Sequence, residues 1–146
     1  MDKASKAEEY FLQGYACSQS VLMAYAYELG IDMETAKKIS SAFGAGMGRL
    51  RKTCGALTGA FMVIGMKYGN TDPKDMKTKL GAYDIVRELH NQFELKHGTS
   101  DCKDLLIKYA DTKSVEARDH HKIICCSLVR DAANFLESIL ENKESK

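Results

Sequence analysis

The chain has 146 residues, enough for one domain with a real core. Hydrophobic residues make up 45% and charged residues 28%, an ordinary soluble balance. The formal net charge of +1 supplies no global field to recruit nucleic acid or an acidic membrane surface, so neither is expected as a partner.

A single proline, Pro73, and long stretches rich in Ala, Leu, Lys and Glu favour an all-α chain, since prolines elsewhere would interrupt helices. The opening "MDKASKAEEYFLQGYA" has no apolar core of the signal-peptide kind, which predicts a cytoplasmic protein. Residues 3 to 29 read as one helix, because Tyr10, Phe11, Cys17, Val21, Leu22, Tyr25 and Leu29 recur at three- and four-residue steps. Gly14 weakens that helix locally, and Gly30 is a good stop. "DMETAKKISSAF" reads as the next helix, with Asp32 as its N-cap. "GAGMG" then breaks the chain.

A third helix is predicted from near Thr53 to about Tyr68, ended by Gly69 and Asn70. Its most apolar run, Ala56 to Met66, is well short of the ~20 residues of a membrane span. Asp72 is the expected cap, and Pro73 the first turn, of a helix reaching Lys96. That helix carries Met76, Leu80, Tyr83, Ile85, Val86, Leu89 and Phe93. Ser100 is the expected cap of a short helix over 101–109, which places Cys102 in its first turn. The last helix is predicted from about Ser114 to Asn142, with Ile124, Cys125, Leu128, Val129, Ala132, Leu136, Ile139 and Leu140 as its apolar stripe. "ENKESK" reads as a frayed tail. Strand alternation is nowhere sustained. The expectation is a single all-α domain over 1–146, a helical bundle of five to six helices, with the helix at 53–68 at its centre.

The chemistry concentrates in "GAGMGRLRKTCGALTGAFMVIG", residues 44 to 65. A glycine-rich turn and three basic residues run into Cys54 at a helix start. Such a start leaves backbone N–H groups unpaired and carries partial positive charge, so a thiolate there is stabilised. Arg49, Arg51 and Lys52 add positive potential, and Gly48, Arg49 and Gly55 are the candidates for holding a cofactor or anion. The structural alternative is equally physical. Gly55 and Gly59 share a helix face on which another helix can approach closely, and Cys54 is then a small packing residue. "GAGMGR" resembles a dinucleotide loop but follows a predicted helix where a strand is required, so nucleotide binding is not expected.

The other cysteines are Cys17, Cys102, Cys125 and Cys126. No CxxC pair occurs, so neither a zinc ribbon nor a thioredoxin-type dithiol can be read, and folding must bring the thiols together for them to cooperate. An odd count in a reducing compartment argues against a permanent disulfide framework. Cys126 is rotated about 100° from Cys125 on the same helix.

The segment "CGALTGA", with "GYACSQSVLMAY", "GTSDCKDLL" and "CCSLVRDAANFLESIL" around it, is similar to the C_GCAxxG_C_C family along most of the chain. The resemblance aligns Cys17, Cys54, Cys102 and Cys125 with that family's four cysteines, with Cys126 an extra. It implies a helical domain with a redox role assigned to those cysteines.

Three functions follow as expectations. In the first, Cys54 is a redox nucleophile and Cys17, Cys102 or Cys125 its resolving partner, acting without a cofactor and with a redox partner protein. In the second, Cys17, Cys54, Cys102 and Cys125 bind zinc or an iron–sulfur cluster; His121, four residues before Cys125 on the same helix face, either forms half such a site with Cys125 or is an exposed or capping histidine, the commoner case. In the third, the chain is a non-catalytic binding or adaptor module, with Tyr10, Tyr15, Tyr25, Tyr27 and the methionines Met23, Met47, Met62 and Met66 lining a pocket or dimer face. A homodimer is expected throughout.

Overall fold

A computed structural model describes residues 1–110 and 117–145, with side chains described for all of these except 117–121. Seven right-handed helices are present among the described residues: α1 (Lys3–Leu12), α2 (Cys17–Leu29), α3 (Met33–Ser41), α4 (Gly55–Tyr68), α5 (Met76–His97), α6 (Cys102–Lys108) and α7 (Ala117–Glu144). The class is all-α, as expected, with one or two helices more than the sequence suggested. The start expected near Ser114 for the last helix lies outside the described residues.

The extra helix comes from Gly14. Its φ of 108° turns the chain, and Ala16 is extended at φ −63° and ψ 160°. The run predicted as one helix therefore becomes α1 and α2, and Cys17 moves from mid-helix to the first residue of α2. The Gln19 side chain accepts from the Ala16 N–H at 2.9 Å, which supports the new start. Capping residues shift elsewhere by one to three positions. Asp32 accepts from the Thr35 N–H at 3.3 Å, as predicted. Asp75 rather than Asp72 caps α5, and Pro73 lies ahead of it. Asp101 rather than Ser100 caps α6 through the N–H groups of Lys103 and Asp104.

Seven consecutive residues of α2, Ser20 to Ala26, are buried, so α2 is the most enclosed helix rather than α4. It packs against α1, α3, α4 and α7. The hydroxyls this burial removes from water find backbone partners. Ser18 Oγ donates to the Ser40 carbonyl at 2.7 Å, and Ser40 Oγ to that of Ala36 at 2.6 Å. Tyr25 is fully buried and donates its hydroxyl to Glu137 of α7 at 2.7 Å. The contact between α4 and α2 is so close that a Cβ on Gly59 would lie 2.6 Å from the Ser18 carbonyl oxygen. The small-residue face read from the sequence is therefore a packing face.

The predicted stripe of α7 is buried in full, with Cys126 turned partly outward. In α5 the pattern holds only for the second half. Ile85, Leu89, Phe93 and His97 are buried, whereas Met76, Leu80 and Tyr83 are each 50% exposed. The expected frayed tail is helical through Glu144, which pairs with Lys67 of α4 at 3.2 Å.

Candidate functional site

Two short segments pair antiparallel in front of α4 and α6. Thr53 and Asp101 form an isolated bridge. The Cys54 N–H donates to the Ser100 carbonyl at 2.8 Å, the Cys102 N–H to that of Lys52 at 2.6 Å, and the Lys103 N–H to that of Arg51 at 3.2 Å. This pairing holds Cys54, the residue before α4, beside Cys102, the first residue of α6. The start of α2 joins them, since a Cβ on Gly55 would lie 3.2 Å from the Cys17 Cβ. Cys125 arrives from α7, four residues before Val129 on its buried stripe.

Cys17, Cys54, Cys102 and Cys125 line one cavity of about 450 Å³. Phe11, Tyr15, Leu105, Leu106 and Leu128 form its apolar wall, and Gly48, Arg49 and Gly55 also border it. Cys54, Cys102 and Cys125 are buried and Cys17 is half-buried. The structure thus brings together the four cysteines and the three candidate binding residues picked from the sequence, and leaves Cys126 out of the lining. Of the tyrosines and methionines expected to line a pocket, Tyr15 alone does so among the described residues. Tyr25 and Met23 are core, and Tyr27 is 95% exposed.

The electrostatics depart from the sequence expectation at Cys54. Burial pushes its thiol up to about 12, against the lowering effect of the Ala56 and Leu57 N–H groups. The helix start works in the predicted direction, and desolvation outweighs it. Cys17 also lies well above the ordinary thiol range, chiefly through the neighbouring Cys125 thiol and then through burial. Cys125 is the one site thiol held below its ordinary value, by the neighbouring Cys17 thiol and then by the charge of Arg51. Cys102 is raised by burial, against a contact of 3.7 Å from the Arg51 guanidinium to its sulfur. Among the four site thiols Cys125 is therefore the one most readily ionised.

The segment before Cys54 has a backbone no sequence pattern announced. Ala45, Met47, Arg49 and Arg51 have φ between 56° and 68°, and Gly46 and Gly48 between them are also left-handed. Each non-glycine residue held there costs about 1–2 kcal/mol. Internal hydrogen bonds oppose that strain: the Gly48 N–H reaches the Ala42 carbonyl at 2.8 Å, and the Lys52 N–H that of Gly46 at 3.0 Å. Tight coiling places Arg49 at the cavity rim and Arg51 on the Cys102 sulfur. Strain of this kind concentrates where a site must hold its groups in place. Only the density of glycine hinted at it.

A second buried polar cluster escaped the sequence reading. His97 Nε2 bonds Asp131 at 2.9 Å and Nδ1 bonds the Tyr109 hydroxyl at 2.6 Å. Burial lowers the His97 pKa, opposed by Asp131. The side chain of His121, expected as a possible donor beside Cys125, lies outside the described residues. Among the described residues no three side chains of His, Cys, Asp or Glu converge in an arrangement that holds a metal ion. The four cysteines do not fit the zinc or cluster role as they stand, and no step below passes through a metal. Among the described residues no helix is long and apolar enough to cross a membrane.

No curated protein and no solved structure was found to match the chain. A family model described as "Putative redox-active protein (C_GCAxxG_C_C)" matches residues 15–139. The chain belongs to that family.

Proposed function

We propose that this member of the C_GCAxxG_C_C family carries out thiol–disulfide exchange with Cys125 as nucleophile and Cys17 as resolving thiol. The observation that carries the reading is the convergence of four cysteines from separate segments on one cavity; within it Cys125 is drawn below the ordinary thiol range and Cys17 above it. The Cys125 thiolate attacks one sulfur of a substrate disulfide, and the other leaves as a thiolate. Cys17 gives its proton to that leaving thiolate and then attacks the Cys125 sulfur. The second substrate thiol departs, and a Cys17–Cys125 disulfide remains. In sum one disulfide is reduced to two thiols while two protein thiols are oxidised to one disulfide, and an external thiol resets the protein by the reverse exchange. Cys54 and Cys102, both held protonated by burial, act as neighbours that shape the cavity rather than as the attacking group.

The test is a redox titration of the reduced chain with mapping of the oxidised form by peptide mass. Loss of two free thiols and a joined pair of peptides containing Cys17 and Cys125 is the expected result, abolished by Cys17→Ser and by Cys125→Ser. Retention of five free thiols at oxidising poise, or a bond mapped to Cys54 and Cys102 instead, would overturn the assignment.

A further inference from the structure

The cavity that holds the sulfurs also restricts what can reach them. Cys54 is 4% exposed, Cys102 8% and Cys125 5%. Burial of this depth opposes the approach of a disulfide held on the surface of a folded protein. The cavity of about 450 Å³ falls in the range of small-molecule sites and has space equal to roughly fifteen liquid-water volumes. Its substrate must enter as a whole molecule.

The lining also selects by charge. Arg49 borders the cavity with its side chain exposed at the rim, and among the described residues no Asp or Glu lines the cavity. Arg51 places its guanidinium 3.7 Å from the Cys102 sulfur. The N-termini of α2 and α4, helices of 13 and 14 residues, both open onto the cavity at Cys17 and Gly55, adding partial positive charge. Phe11, Tyr15, Leu105, Leu106 and Leu128 give the same cavity an apolar wall. A dianionic substrate gains at the rim, a dication is repelled there, and short methylene arms pack against the wall.

We propose that the substrate of this site is a small disulfide bearing carboxylates, held by Arg49 at the cavity rim, and not a disulfide carried on a protein. The inference rests on the thiol–disulfide reading above. Arg49 makes the anion contact and Cys125 makes the sulfur attack. The left-handed backbone at Arg49, φ 64°, fixes the base of the side chain at the rim.

The test uses the reduced full chain and three disulfides of similar length: 3,3′-dithiodipropionate, bis(2-hydroxyethyl) disulfide and cystamine. Formation of the Cys17–Cys125 bond is followed by peptide mass. Each rate is divided by that of the same reagent with dithiothreitol, which removes intrinsic reactivity. The expected normalised preference for dithiodipropionate over cystamine is about tenfold, equivalent to ~1.4 kcal/mol. It shrinks as ionic strength rises, because a rim-exposed charge is screened. Arg49→Gln brings the preference close to parity, Arg49→Lys retains most of it, and the control Lys77→Gln, on the exposed side of α5, leaves it unchanged. A fourth arm offers a folded protein with a surface disulfide, and no reaction above background is expected. Equal normalised rates for the dianion and the dication, a preference that survives Arg49→Gln, or oxidation by the protein disulfide as fast as by the dianion would overturn the inference while leaving the Cys17–Cys125 chemistry standing. Failure of every disulfide to oxidise the pair would remove that chemistry, and the inference with it.

Discussion

Cys125 is drawn below the ordinary thiol value and Cys17 above it, so the two neighbours differ in how readily they react as thiolates. Cys125 is held low first by the neighbouring Cys17 thiol and then by Arg51. In a Cys126→Ser background, iodoacetamide labelling of Cys125 against pH is expected to show a midpoint below the ordinary thiol value near 9. Cys17→Ala moves that midpoint upward because it removes the larger cause, and Arg51→Gln moves it upward by less. A midpoint at or above the ordinary value in the parent chain would show that Cys125 is not the thiolate. Cys54 gives the opposite signature. Its folded value of about 12 exceeds the ordinary value of 9, so the folded state favours the neutral thiol. Its contribution to stability is whole below pH 9 and falls as the pH rises from about 9 towards 12, where the unfolded chain ionises first. Urea midpoints measured between pH 8 and 11 should decline more steeply for the parent than for Cys54→Ala. Parallel curves would mean that Cys54 is not desolvated.

At the scale of elements, the decisive contact is α4 against α2. A side-chain carbon at Gly59 would meet the Ser18 carbonyl oxygen at 2.6 Å, a backbone atom that cannot rotate away. Gly59→Ala must push the two helices apart, and overpacking of this kind costs about 1–3 kcal/mol. A fall in thermal midpoint of several degrees, with loss of the Cys17–Cys125 pairing, is expected. An unchanged midpoint would show that the contact is looser than drawn. Ser18→Ala strips a donor from the Ser40 carbonyl in the same buried layer, and an acceptor left without one costs about 1–3 kcal/mol. Much of this level was legible. The helical period fixed the buried stripe of α7, Asp32 announced α3, and the spacing of Gly55 and Gly59 announced a helix-packing face. The break at Gly14 was less so, because an isolated glycine inside a periodic run weakens a helix without specifying that it ends there. Three of the seven residues of the predicted α5 stripe face solvent because periodicity states a face and not what covers it.

For the whole molecule, the convergence of Cys17, Cys54, Cys102 and Cys125 could be proposed from one sequence only through likeness to a family, since no local spacing links residues so far apart. The charge state of each thiol depends on burial and on a partner from another helix, which is why Cys54 read as activated and is not. The same limit hid the group that ties three helices together behind the cavity wall. His97 ends α5, Tyr109 follows α6, and Asp131 lies one turn beyond the cavity residue Leu128 on α7. Asp131 faces His97 together with Lys96 at 2.9 Å, and Lys108 donates to the His97 carbonyl while its ammonium stands over the Tyr109 ring. Burial lowers the His97 pKa below the ordinary 6.5, with Lys96 and Lys108 adding to that effect and Asp131 opposing it. The folded state therefore favours neutral imidazole, which can accept from Tyr109 at Nδ1 while donating to Asp131 at Nε2. Its contribution to stability is present above pH 6.5 and declines as the pH falls below it, where the unfolded chain takes up the proton first. Urea unfolding at pH 7.5, 6.5 and 5.5 should show a loss for the parent that is smaller for His97→Gln, which cannot titrate. Cavity access should follow stability, so labelling of Cys125 relative to the exposed-side Cys126 rises as the clamp weakens. A parent curve no steeper than that of His97→Gln over this range would show that the clamp does not sense protons, leaving it as packing between α5, α6 and α7.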